Sequence, residues 1–133
     1  MPNSTKIVAA SLALVAERAG DPTSQVYARL FAEHPEMEAL FVRDTTGAVR
    51  GEMLAVAFGC LLDLGGDGAY AANLIAAERV NHEGVGVPPD VFGRFFPIVM
   101  ETCREISGEA WTAEVAAAWA ATLAQLAAIA GPE

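Results

Sequence analysis

Apolar residues recur three and four positions apart along almost the whole chain. Ile7, Val8, Leu12 and Val15, with Ser11 among them, mark one face of a first helix that stops near Gly20, because that spacing returns side chains to one side of an α-helix. Asp21-Pro22 is a start signal, a capping carboxylate followed by a proline in the first turn. The helix it opens carries Val26, Tyr27, Leu30 and Phe31 and ends by His34-Pro35. A short helical turn from Pro35 to Leu40 delivers Phe41, and Arg43 to Val49, with Thr45-Thr46-Gly47 inside, reads as a loop. A helix from about Val49 to Leu64 places Met53, Leu54, Ala57, Phe58, Leu61 and Leu62 on one wide apolar face, and Gly65-Gly66-Asp67-Gly68 ends it.

A helix from about Ala69 leads to His82. Pro88-Pro89-Asp90 opens another, which contains Phe92, Phe95, Phe96, Val99, Met100 and Cys103 and is broken by Ser107-Gly108. Thr112 caps the last helix, which presents Val115, Trp119, Leu123, Leu126 and Ile129. No segment alternates polar and apolar residues long enough to form a strand. The pattern predicts an all-α domain of about seven helices of uneven length.

The 133 residues suffice for one domain with one core. The hydrophobic fraction is 53%, high enough to raise the question of a membrane span. Much of it is alanine, and no uninterrupted apolar run reaches the ~18 residues a span needs. Val115 to Ala130, the longest candidate, is broken by Thr122 and Gln125. Met1 to Lys6 lacks the basic and apolar regions of a secretory signal. Cys60 and Cys103 lie in apolar helical patterns without metal-ligand spacing, so reduced, buried thiols in a cytoplasmic protein are expected. The net charge of −9 leaves nothing to neutralise phosphates, which argues against nucleic acid and against an anionic membrane surface. The arginines, and Lys6, are scattered singly.

The chemistry centres on His82, in the run Asn81-His82-Glu83-Gly84-Val85-Gly86-Val87 between an alanine-rich helix and Pro88-Pro89. A single imidazole at a helix end, followed by a glycine-containing turn into a new helix, is what an axial haem ligand requires. One ring nitrogen binds iron while the helix holds the other against a backbone carbonyl. The plain reading is a histidine that caps the helix. His34, beside Pro35, reads as a surface residue at a helix corner.

Taken together, these segments resemble a bacterial single-domain globin of the three-on-three, flavohaemoglobin-like type, across almost the whole chain. Pro35 and Phe41 have the spacing of the proline that opens the third globin helix and the phenylalanine that packs on the haem. Tyr27, eight residues before Pro35, matches the second-helix position that faces the gas ligand. Arg50-Gly51-Glu52-Met53-Leu54 resembles the start of the distal helix, with Arg50 where the family often has glutamine. His82, the Gly-Val bend, and Trp111 to Val115 with Ala118-Trp119 resemble the proximal histidine and the last two helices. Phe92 stands where flavohaemoglobins carry a tyrosine that links the proximal histidine to a glutamate, and a single globin domain, without a flavin or nicotinamide domain, is expected.

The resemblance implies one globin domain over residues 1–133, packed three-on-three around haem b, that reversibly binds oxygen, carbon monoxide or nitric oxide. His82 is then the iron ligand and Tyr27 donates its hydroxyl to the bound gas; the alternative for Tyr27 is a core ring with its hydroxyl satisfied elsewhere. Leu54 would lean over the iron, and Phe41, Phe58, Val87 and Phe92 would line the pocket, or else belong to the general helical core. Arg50 points either in toward the ligand or out to a haem propionate. Outward is favoured because an unpaired buried charge is costly. Arg43 is a second propionate candidate, and either arginine is otherwise solvated. Two rival functions stay open: a nitric oxide dioxygenase served by a separate reductase, and a haem-free interaction or sensor domain.

Overall fold

The computed structural model describes residues 4–64 and 69–130. Among them are six α-helices and two short 3-10 segments, with no strand, as the periodicity predicts: α1 (Ser4–Ala19), α2 (Thr23–Glu33), a 3-10 segment (Pro35–Phe41), α3 (Ala48–Asp63), α4 (Ala69–Gly84), α5 (Pro89–Ser107), a 3-10 turn (Gly108–Ala110) and α6 (Ala113–Ala130). The Gly65-Gly66-Asp67-Gly68 stop and the Ile129 side chain lie outside the described residues.

The helix ends follow from local chemistry. Gly20 takes φ 69°, a left-handed conformation that costs glycine little, and its N–H donates to the Ala16 carbonyl to close α1. At the start of α2, Pro22 rather than Asp21 occupies the cap position, and Asp21 Oδ1 accepts the Thr23 N–H at 2.9 Å from one residue further back. Helix α3 starts one residue before the sequence boundary, at Ala48. The reason is Asp44, whose carboxylate accepts the Val49 N–H at 3.1 Å and the Arg50 N–H at 3.0 Å across the Gly47 turn, satisfying donors that a helix start leaves free. Pro88 is extended, as a residue before proline should be, and α5 follows directly. Thr112 Oγ1 accepts the Val115 N–H at 3.2 Å and caps α6.

Helix α1 packs on α6, α5 and α3, α5 also packs on α2, α4 and α6, and α4 on α3 and α6, so α1 and α5 share the centre of the packing. Val8, Ser11, Leu12 and Val15 of α1 are all buried, the i, i+3, i+4, i+7 face of the sequence pattern. Trp119 of α6 is fully buried, and its indole N–H donates to Ser11 Oγ at 3.1 Å, so the largest core side chain keeps its one polar atom satisfied. Thr102 and Thr122 solve the same problem by donating to the carbonyls of Ile98 and Ala118, one turn back. These contacts fill one side of the molecule. The other side, between α2, α3, α4 and α5, is open.

Candidate functional site

That opening is a cavity of about 400 Å³, within the range of small-molecule and cofactor sites. Tyr27 and Leu30 of α2 and Met37, Leu40 and Phe41 of the 3-10 segment form one wall. Helix α3 contributes Val49, Glu52, Met53, Val56, Ala57 and Cys60. Leu74, Ile75, Glu78 and His82 of α4, Val87 of the bend, and Val91, Phe92, Phe95 and Phe96 of α5 close the remainder. The lining is predominantly hydrocarbon and aromatic.

His82 lies in the last turn of α4, partly buried. Its Nδ1 is 2.7 Å from the Glu78 carbonyl oxygen. A carbonyl only accepts, so Nδ1 carries a proton, and in the neutral ring Nε2 keeps its lone pair. Among the described residues Nε2 has no partner. Phe92 packs against the imidazole, ring centroids 5.1 Å apart, and fixes its orientation.

Tyr27 is 2% exposed and wedged among Phe31, Phe41 and Phe95, with ring centroids 5.5 to 5.8 Å apart. Its hydroxyl oxygen is buried without a hydrogen-bond partner among the described residues. A native fold rarely tolerates such an atom without a reason, since leaving it unpaired costs about 1–3 kcal/mol. Burial drives the phenol's ionisation well upward; Arg50 opposes this and Asp44 adds to it. Tyr27 therefore remains a neutral donor across physiological pH.

The sequence-based site comes together in part. Tyr27, Phe41, His82, Val87 and Phe92 line one cavity. Leu54 and Phe58 do not. Leu54 is 1% exposed in the packed core, and Phe58 packs against that core one turn on. Successive helical residues are rotated by about 100°, so the cavity face of α3 runs through Val49, Met53, Val56, Ala57 and Cys60. The face through Leu54, Phe58 and Leu61 is turned away.

Neither Arg50 nor Arg43 lines the cavity. Arg50 Nε donates to Asp44 Oδ2 at 3.0 Å and Nη2 to the Asp44 carbonyl at 2.7 Å. Arg50 borders a separate, more open recess that shares Phe41 as a wall. Arg43 is exposed. Among the described residues the charged groups in the cavity lining are two carboxylates, Glu52 and Glu78, and sequence reasoning missed both.

Cys60 also lines the cavity. Burial, then Asp63, pushes its thiol upward, and burial pushes Cys103 up to about 12, so both are inert thiols. They are unpaired. His34 sits at the corner after α2 between Glu33 and Glu36, at 3.6 and 3.5 Å, away from the cavity.

Among the described residues no three His, Cys, Asp or Glu side chains gather to hold a metal ion. One imidazole in an apolar slot suits a metal that arrives with its other ligands already in place. No described helix is long and apolar enough to cross a membrane.

The model of one protein family, described as Globin, matches residues 24–130. Comparison with curated proteins and with solved structures gave no match.

Proposed function

This chain belongs to the globin family and has its all-α fold, and from that premise we propose that it binds one b-type haem in the α2–α5 cavity and reversibly holds a diatomic gas there. The observation that carries this reading is the pairing of two groups in one apolar cavity. His82 has its Nδ1 proton engaged by the Glu78 carbonyl and its Nε2 lone pair available, while Tyr27 brings a buried hydroxyl with no partner. The donor set fits haem: a neutral imidazole with a fixed tautomer is the axial ligand type of globins, and the aromatic and aliphatic walls suit a flat macrocycle.

When bound, haem supplies an iron coordination position at which oxygen, carbon monoxide or nitric oxide attaches reversibly. The protein's residues do the remainder. His82 would hold the iron through Nε2, oriented by the Glu78 carbonyl and by Phe92. Phe41, Val87 and Phe92 would flank the ring. Tyr27 would donate its O–H to the gas, and its orphaned hydroxyl would gain the partner it lacks. Met53 and Ala57, rather than Leu54, bound the space beside the ligand from α3. The hydrocarbon lining excludes water, which strengthens any hydrogen bond made inside it.

Absorption spectra of the purified protein in its ferric, ferrous and carbon-monoxide-bound forms test this reading. Ferrous protein should shift its Soret band on exposure to carbon monoxide. A colourless protein that also fails to take up added haem would instead support a haem-free interaction domain on the globin scaffold.

A further inference from the structure

The carboxylate of Glu78 stands beside the same nitrogen that its own carbonyl holds. Its Oε1 is 3.5 Å from His82 Nδ1, one helical turn on. Its other oxygen, Oε2, accepts from Asn81 Nδ2 at 3.4 Å, which tethers the carboxylate on the residue next to the histidine. Phe92, packed on the imidazole, offers no polar atom to compete for Nδ1–H. Glu78 lines the cavity with a side chain 39% exposed.

With a neutral imidazole the contact is a charge–dipole one rather than an ion pair, and partly exposed as it is, it would contribute little to stability. Its weight lies elsewhere. A negative charge next to an N–H polarises that bond and moves electron density toward the opposite ring nitrogen, and groups hydrogen-bonded behind a metal ligand tune the metal in this way. We propose that Glu78, tethered by Asn81, is a positioning residue for His82: its carboxylate makes Nε2 a stronger donor and biases a haem iron held there toward the ferric state. The proposal rests on His82 being the iron ligand. It gives the chain a source of proximal electron density within α4 itself, at a site where Phe92 supplies none.

Glu78→Gln keeps the backbone carbonyl and the side-chain size and removes only the charge. Spectroelectrochemical titration of the haem-loaded protein should show its preference for ferric over ferrous iron falling about tenfold, about 59 mV for a one-electron couple. Glu78→Asp should recover part of that shift, and Asn81→Leu, which removes the tether but not the charge, should give a smaller shift in the same direction. In the haem-free protein, nitrogen-15 NMR should find His82 in the Nδ1–H tautomer in every variant, and the melting temperature should be unchanged. An unchanged potential in Glu78→Gln, or an opposite shift in Asn81→Leu, overturns the proposal. If His82→Ala loses haem while Glu78→Gln leaves the potential untouched, this inference fails and the assignment of His82 stands. If His82→Ala keeps haem and its spectrum, both fail.

Discussion

Arg50 is fastened to Asp44 by its side chain and by its backbone: Nε lies 3.0 Å from Oδ2, Nη2 lies 2.7 Å from the Asp44 carbonyl, and the Arg50 amide donates to Oδ2 at 3.0 Å. The pair staples the start of α3 and keeps a guanidinium out of the cavity. Desolvation by burial acts to raise the Asp44 carboxyl, but hydrogen bonds from the Arg50 and Val49 amides and from Arg50 Nε outweigh it and hold the group below the usual carboxylate range. A depressed carboxyl stabilises the fold above its unfolded value of about 3.9 and loses that contribution as pH falls through the folded value. Asp44→Asn should therefore lower the urea midpoint at neutral pH, with the gap to wild type closing below about pH 4. Arg50→Leu should leave the spectrum of the carbon-monoxide form unchanged. A gap between Asp44→Asn and wild type that is the same at both pH values would contradict this account.

His82→Ala should abolish haem retention through purification, and His34→Ala should not. Among the described residues the His34 imidazole pairs with Glu33 and Glu36, whereas His82 lines the cavity. If haem binds the native state preferentially, loading should also raise stability, by about 2.7 kcal/mol at a free ligand concentration a hundred times the dissociation constant. That gain should vanish in His82→Ala. Haem titrations followed by thermal melts read both effects.

The helices were legible because α1, α2, α5 and α6 combine a clear apolar stripe with glycine or proline at their ends. Tyr27, Phe41, His82, Val87 and Phe92 could be grouped only through the globin resemblance, which the order and spacing of Tyr27, Pro35, Phe41 and His82 carry. Helix α3 was different. It is apolar on its core face and on its cavity face alike, so its composition does not say whether Leu54 or Met53 faces the opening. Asp44 was missed because a loop aspartate carries no pattern until the turn at Gly47 brings it over the first amides of α3. Glu78 had a usable signal, four residues before His82, yet a glutamate on a helix ordinarily reads as a solvated charge.

Tyr27→Phe should have two opposite consequences. In the haem-free protein it removes a buried hydroxyl that has no partner, so stability should not fall and should rise by about 1 kcal/mol. With haem and dioxygen, the same change removes a hydrogen bond to a partly charged ligand worth about 1.5–3 kcal/mol, and dissociation should speed roughly ten- to a hundredfold. Carbon monoxide carries less charge when bound, so its release should change much less. Since Asp44 holds Arg50 away, adding Arg50→Leu should not enlarge the effect. Stopped-flow displacement and denaturant titration measure the two halves. An unchanged dioxygen off-rate would remove Tyr27 from the ligand's surroundings.

Met53 and Leu54 are neighbours in sequence and separated in role, which a pair of alanine variants resolves. Leu54 is 1% exposed within the packed core and does not line the cavity. Truncating it should leave a void between helices and cost about 2–5 kcal/mol, read as a lower urea midpoint. The cavity wall is untouched, so rebinding of carbon monoxide after flash photolysis should keep its wild-type rate within about twofold, provided the fold is intact. Met53 is half-buried and borders the cavity. Truncating it removes less packed surface, about 1–2 kcal/mol, but widens the space beside Ala57 and should change the rebinding rate more than Leu54→Ala does. The opposite ranking, with Leu54→Ala altering rebinding and Met53→Ala altering only stability, would show that α3 presents its other face to the ligand and that the register placed here for the cavity is wrong.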